Sequence, residues 1–300
     1  MKEILVKTDN HKKIYTRFYK TKNDNRALLF LHGGPGASCI TFQYMATQLS
    51  EYINVILIDQ RGVLRSDKLE SNDECTIDML VDDCETIRNF FNIDKLILLG
   101  HSFGGFISLL YASKYPNLVE KVIFENPTFS FKDSMQSLQA KVLNYLKKEN
   151  KFKLINKLNI EITDIQTTKS FISTLLEMPE EIKTKIYNTK PFDEYSEEQK
   201  ENLNAKVDIE ERWQYCITHF QKVMEDKNAY DNLIGLIPKL NCETLLLCGE
   251  FDPILSNNFK EYYKRNSLKG NLVIIKNCGH FIHTDSPDEY LKNIIKFIKK

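Results

Sequence analysis

One serine stands among small residues at the end of an apolar run. The segment Asp94-Lys95-Leu96-Ile97-Leu98-Leu99-Gly100 leads directly into His101-Ser102-Phe103-Gly104-Gly105. A serine hydroxyl is a weak nucleophile and needs a neighbouring base, plus N–H groups that receive negative charge on the substrate. Gly-x-Ser-x-Gly between a buried strand and a helix can meet both needs. The chain must turn sharply there, so the flanking residues must lack bulk, and the turn lifts the hydroxyl above the sheet edge. The first amides of the helix that follows, read from Phe106-Ile107-Ser108-Leu109-Leu110 onward, then point at any anion formed at that spot.

The base and its orienting acid must come from elsewhere in the chain. For a strand-turn-helix nucleophile the expected order is Ser, then Asp or Glu, then His. The run Leu245-Leu246-Leu247-Cys248-Gly249 delivers Asp252 three residues past its end, and Leu272-Val273-Ile274-Ile275 leads into a loop that carries His280. Ser102, Asp252 and His280 form the candidate triad. Glu125, ending the run Lys121–Phe124, is the competing acid, and Glu250 is a weaker one because it sits one residue past its strand. His283 competes with His280 but lacks a preceding glycine to free the loop. His101 reads as a residue packed into the turn.

A second donor is expected from His32-Gly33-Gly34-Pro35-Gly36, a glycine-rich loop after the third apolar run. Glycines let backbone N–H groups approach a ligand closely. The amides of Gly34 and Phe103 are the expected oxyanion donors, each typically worth about 10²–10³ in turnover.

These residues need a scaffold that brings distant segments to one rim. Eight strand-like runs occur, at 3–7, 13–19, 26–33, 54–59, 94–100, 121–126, 244–249 and 272–276. The first two read as an antiparallel start, and the rest are continuously apolar, as strands buried on both faces are. Ile77, Leu80, Val81, Cys84, Ile87 and Phe91 recur at helical spacing, as do Tyr290, Leu291, Ile294, Ile295 and Ile298. The alternation predicts an α/β fold with a mostly parallel sheet and helices on both faces. Residues 128–232 break the rhythm. They are rich in Lys, Glu and Asn and carry helical stripes such as Phe131-Met135-Leu138-Val142-Tyr145-Leu146 and Ile209-Trp213-Cys216-Ile217-Phe220-Val223-Met224. The expected organisation is a core of 1–127 and 233–300 with an all-helical insertion at 128–232, in which Trp213, Tyr215 and Phe220 are candidate pocket residues. The lysine-rich stretch 147–158 reads as a solvated face.

The 300 residues carry 41 basic and 41 acidic side chains, so no net field draws the chain to nucleic acid or an anionic membrane. A small molecule or short peptide is the expected partner, and the sequence fixes no oligomeric state. Seven cysteines form no CxxC pair, and the start Met1–Lys13 has no apolar run long enough for a signal peptide or membrane span. Both features lead to the expectation of a cytoplasmic protein with reduced thiols. The proposed chemistry calls for neither metal nor organic cofactor.

The sequence resembles the α/β-hydrolases, and within them the proline iminopeptidase-like serine peptidases. The resemblance rests on His32–Gly36, on Asp59-Gln60-Arg61-Gly62 with Ser66 following, on Gly100–Gly105, on Gly249-Glu250-Phe251-Asp252-Pro253 and on Gly279-His280. These motifs span the core in order. The resemblance implies the α/β-hydrolase fold, an eight-stranded sheet with an inserted helical cap, and an aminopeptidase activity on small peptides. Leu64 stands where the family's motif usually has glycine. Its W-x-x-W-E segment, whose glutamate helps hold the substrate's amino group, reads Trp213-Gln214-Tyr215-Cys216-Ile217. Glu177, Glu180, Glu181, Glu210 and Glu211 are the substitute acids, and Glu125 is a further substrate-binding candidate. The rival readings are a carboxylesterase or lactonase acting on small apolar esters and a non-catalytic ligand-binding protein on the same scaffold.

Overall fold

The computed structural model describes residues 1–21, 25–189 and 209–300, with side chains in the last stretch from 212 onward. Eight strands form one sheet: β1 (Lys2–Lys7), β2 (Lys13–Tyr19), β3 (Ala27–Leu31), β4 (Asn54–Ile58), β5 (Leu96–His101), β6 (Val119–Glu125), β7 (Glu243–Gly249) and β8 (Gly270–Ile275). Their spatial order is β1-β2-β4-β3-β5-β6-β7-β8. β1 pairs antiparallel with β2, and β2 antiparallel with β4; every other neighbour is parallel. The central strands β3, β4 and β5 are buried along their whole length, which explains why they read as unbroken apolar runs. The eight runs identified in the sequence are these eight strands, with ends displaced by a residue or two.

The helices are α1 (Gln43–Leu49), α2 (Ile77–Phe90), α3 (Phe103–Lys114), α4 (Phe131–Lys148), α5 (Phe152–Leu158), α6 (Ile165–Leu176), α7 (Glu180–Tyr187), α8 (Ile209–Glu225), α9 (Asn257–Asn266), α10 (Ile282–Asp285) and α11 (Pro287–Ile298). Polar caps fix several starts: the Thr76 side chain accepts from the Met79 N–H, and Ser130 from that of Asp133. The sheet divides two apolar layers. One gathers α2, α3 and the apolar faces of α4 and α6; the other packs α1 and α11 against Leu28, Phe30, Val55 and Leu57. No helix among the described residues is long and apolar enough to cross a membrane.

The described residues between β6 and β7 hold α4 to α8 and short 3₁₀ turns. α8 differs from its sequence reading. Trp213 and Ile217 are 41% and 49% exposed, while Cys216, His219 and Val223 face inward. Cys216, Val223 and Met224 of the apolar stripe are buried, Trp213 and Ile217 are not, and His219 shares the buried face.

Candidate functional site

β5 ends at His101, and Ser102 turns the chain with φ 52° and ψ −118° before α3 begins at Phe103. That left-handed backbone is costly for a serine and persists only where its surroundings hold it. Here the Ser102 N–H donates to the Glu125 carbonyl (3.0 Å), and the Ser102 carbonyl accepts from Gly105 (2.9 Å) and Thr128 (3.0 Å). The glycines around it are spaces for neighbouring backbone. A Cβ on Gly104 would lie 1.9 Å from the Leu31 carbonyl oxygen, and one on Gly100 would lie 2.4 Å from that of Gly104. Phe103, as the first residue of α3, has an N–H with no intrahelical acceptor.

His280 Nδ1 lies 2.6 Å from Asp252 Oδ1, both side chains being buried. The other Asp252 oxygen accepts the N–H groups of Ile254 (3.1 Å) and Leu255 (2.6 Å), which fixes the carboxylate plane. The arrangement makes Nδ1 the donor and leaves Nε2 for a proton acceptor's work. Ser102 and His280 line one cavity of about 370 Å³, together with Gly33, Gly34, His101, Phe131, Met135, Ile254 and Phe281. Gly34 adopts φ +112°, and a Cβ there would meet the Gly36 N at 2.5 Å, so only glycine fits that turn.

Several residues that hold these groups carry no motif of their own. Asn126, wholly buried with φ 40°, donates to the carbonyls of Gly279 (3.0 Å) and His280 (2.8 Å) and accepts from Gly249 N–H (2.9 Å). It thereby joins the ends of β6 and β7 to the histidine loop. Asp285 accepts from Gly279 N–H (2.7 Å) and the Thr189 hydroxyl (2.8 Å). Lys141 of α4 donates to the carbonyls of Phe251 (2.9 Å) and Asp252. His280 N–H donates to the Tyr187 carbonyl at the end of α7 (2.8 Å). Asn126 precedes proline, a turn signal that the sequence did offer; Lys141 and Tyr187 act across the fold and left no local trace.

The motif Asp59–Gly62 supports the glycine loop. Asp59 accepts from Ser38 Oγ (2.5 Å), Cys39 N–H (3.0 Å) and Arg65 Nε (2.6 Å). Burial works against its charge, yet Arg65 and the Ser38 hydroxyl together help keep the Asp59 carboxyl below the ordinary range. Leu64, which replaces a customary glycine, retains a left-handed φ of 40° while wholly buried.

Glu125 does not meet His280. It accepts instead from His283 Nδ1 (2.8 Å), from the His283 N–H (3.1 Å) and from the Tyr290 hydroxyl (2.8 Å). Wholly buried beneath the rim, it is absent from the cavity wall. His101, Glu125 and His283 offer ligand atoms within 4.8 Å of one another. The Glu125 oxygens are already engaged by protein donors, so the cluster is a hydrogen-bonded network rather than a ready coordination site. Trp213 and Tyr215 also lie outside the described walls of the cavity; α8 turns its indole to the surface. Glu180 does line the cavity, in an ion pair with Lys183 (2.7 Å). Glu177 and Glu181 are exposed and do not line it, and the side chains of Glu210 and Glu211 lie outside the described residues.

Residues 26–287 match the family model of the alpha/beta hydrolase fold. The chain belongs to that family and is a hydrolytic enzyme of it. It is 29% identical to a proline iminopeptidase of Saccharolobus solfataricus, over 95% of this chain and 88% of that protein. Among solved structures, the proline iminopeptidase of Mycobacterium smegmatis superposes with a TM-score of 0.73 at 15% identity, covering 99% of this chain and 98% of the other. An esterase from Exiguobacterium antarcticum superposes with a TM-score of 0.69 at 20% identity over the full length of both. At such identities these two structures speak for the fold alone.

Proposed function

We propose that the protein is a serine hydrolase that works through an acyl-enzyme and releases the N-terminal residue of small peptides. His280 takes the proton of Ser102 as the oxygen attacks a carbonyl. Asp252 holds the imidazole in the required tautomer and stabilises its cation. The amides of Gly34 and Phe103 receive the oxyanion. His280 passes the proton to the leaving amine, and water, with His280 again as base, frees the acyl group. The observation that carries this reading is the 2.6 Å contact between His280 and Asp252, made beside a serine held at φ 52° on the same cavity. In this reading residues 128–232 act as a cap over that cavity.

The peptide substrate is supported by the relatives named proline iminopeptidase, which make an N-terminal proline the first residue to test. It is also supported by Glu180, a carboxylate on the wall that a substrate ammonium could reach. A second reading, hydrolysis of small esters or lactones, is favoured by two facts. Glu180 is already paired with Lys183, and Phe131, Met135, Ile254 and Phe281 make the described walls largely apolar. Turnover of a proline arylamide and of a short-chain aryl ester by the purified protein separates the two. Under the peptidase reading the arylamide is cleaved and Glu180→Gln raises its KM; ester turnover with no arylamide turnover removes that reading. Turnover that survives Ser102→Ala removes the mechanism.

A further inference from the structure

The wholly buried carboxylate of Glu125 has no part in the triad, and its position calls for a reason. It ends β6 directly beside His101, its partner in the parallel register with β5. The His101 ring lies between it and the base: His101 Nδ1 is 3.6 Å from Glu125 Oε2, and the His101 and His280 ring centroids are 4.7 Å apart. On its other side Glu125 holds His283 and Tyr290, under the rings of Phe42 and Phe281. Burying an ion is costly, and a purely structural role could be filled by an amide or an apolar group.

We propose that Glu125 is a second acid of the site, a positioning residue that keeps a fixed negative charge behind His280 and, through the intervening His101 ring, stabilises the imidazolium formed when His280 takes the Ser102 proton. The inference rests on the triad reading given above. Protons balance without the cluster's help: the Ser102 proton moves to His280 Nε2 and then to the leaving group, and Glu125 keeps its charge throughout. The cluster's net charge follows from its hydrogen bonds. His283 Nδ1 donates to Glu125, and its Nε2 has no partner among the described residues, the arrangement of a neutral ring. Burial keeps His101 neutral as well, its basicity held well below that of a free histidine. One full negative charge therefore remains: burial works against it, but the hydrogen bonds that Glu125 accepts from the His283 ring and N–H help hold its carboxyl below the ordinary range.

The other groups facing His280 are Asp252 on its Nδ1, Ser102 and His101 from the nucleophile turn, Tyr187 at a ring distance of 5.4 Å, and the Glu180–Lys183 pair across the cavity. Lys141 bears on the Asp252 carbonyl. Of these groups only His101 touches the Glu125 side chain.

The test is an NMR titration of the His280 imidazole in a Ser102→Ala background, with a pH profile of kcat/KM in the active parent. Glu125→Gln should lower the His280 midpoint by roughly one pH unit, as expected of a charge one ring away at an effective dielectric near 20. The acidic limb of the profile should move by the same amount. Tyr290→Phe removes one donor and leaves the charge less compensated, so it should raise the midpoint by a few tenths. An unchanged or raised midpoint in Glu125→Gln overturns the proposal. Should that variant not fold, an unchanged or lowered midpoint in Tyr290→Phe overturns it. The titration reads His280 itself, so failure here is distinct from survival of activity in Ser102→Ala, which defeats the triad.

Discussion

His219 should make the protein sensitive to mild acid. It sits on the inward face of α8, wholly buried, with Nδ1 2.7 Å from the Arg61 carbonyl and Nε2 without a partner among the described residues. Nδ1 must carry the hydrogen, and a second proton on Nε2 would be a buried charge with no acceptor. Burial accordingly pulls its pKa from 6.5 to about 3. The sign follows directly. The unfolded chain takes up a proton near 6.5, whereas the folded chain resists until about 3. Stability from this residue is therefore whole above about 6.5 and declines by about 1.4 kcal/mol per pH unit as the pH falls toward 3. Between pH 8 and 4.5 the loss is about 2.7 kcal/mol. His219→Gln can keep a donor for the Arg61 carbonyl but cannot titrate. Trp213, the protein's one tryptophan, stands on the same helix, so urea unfolding followed by its fluorescence reports on this element. The variant should be the less stable protein at pH 8, and the gap should close by about 2.7 kcal/mol between pH 8 and 4.5. His32 and His101, whose pKa values burial also lowers, titrate in both proteins and cancel in the difference. Parallel stability curves for the two proteins would refute the argument.

Asp252→Asn should lower kcat/KM by about 10³–10⁴ with an unchanged circular dichroism spectrum, because an amide can hold His280 in the wrong tautomer; a loss below tenfold would contradict the assignment. Gly104→Ala drives a methyl to 1.9 Å from the Leu31 carbonyl oxygen and should cost about 3 kcal/mol or more in denaturant unfolding. Gly235→Ala, where a methyl meets nothing within 4 Å, is the control and should stay within about 0.5 kcal/mol of the parent. Asp59→Asn strands the Arg65 guanidinium and should cost about 3 kcal/mol. Because Asp59 also holds Ser38 and Cys39, the same substitution should slow turnover, read as kcat on whichever substrate is cleaved.

The parallel strands were legible because burial on both faces leaves an unbroken apolar signature, as at 54–58 and 96–101. The nucleophile turn was legible because its steric demand is local: Gly100, Gly104 and Gly105 leave room for backbone that runs within a few residues or one strand away. α8 was less legible, since a helix whose buried face contains His219 hides part of its own stripe and makes Ile217 look internal. The order of the motifs put Asp252 with His280 and left Glu125 as its competitor; the histidine that Glu125 does meet was beyond sequence reading. Glu125 and Asp252 both end or follow strands near a histidine, and only the paths of the two loops assign Glu125 to His283. Glu180 drew notice merely as one of several acids, because nothing in its surroundings tells which face of α7 meets the cavity.

Two of the contacts that α7 and α8 make with the reactive loops run through main chain. The carbonyl of Tyr187 receives the His280 N–H, and that of Cys216 lies where a Cβ on Gly36 would come within 2.5 Å. Every amino acid supplies a carbonyl. A substitution at 187 or 216 can therefore reshape the cavity wall or the packing while leaving the main-chain grip on the base and the glycine loop in place. Insertions or deletions that shift the register of α7 or α8 are the changes such an architecture cannot absorb.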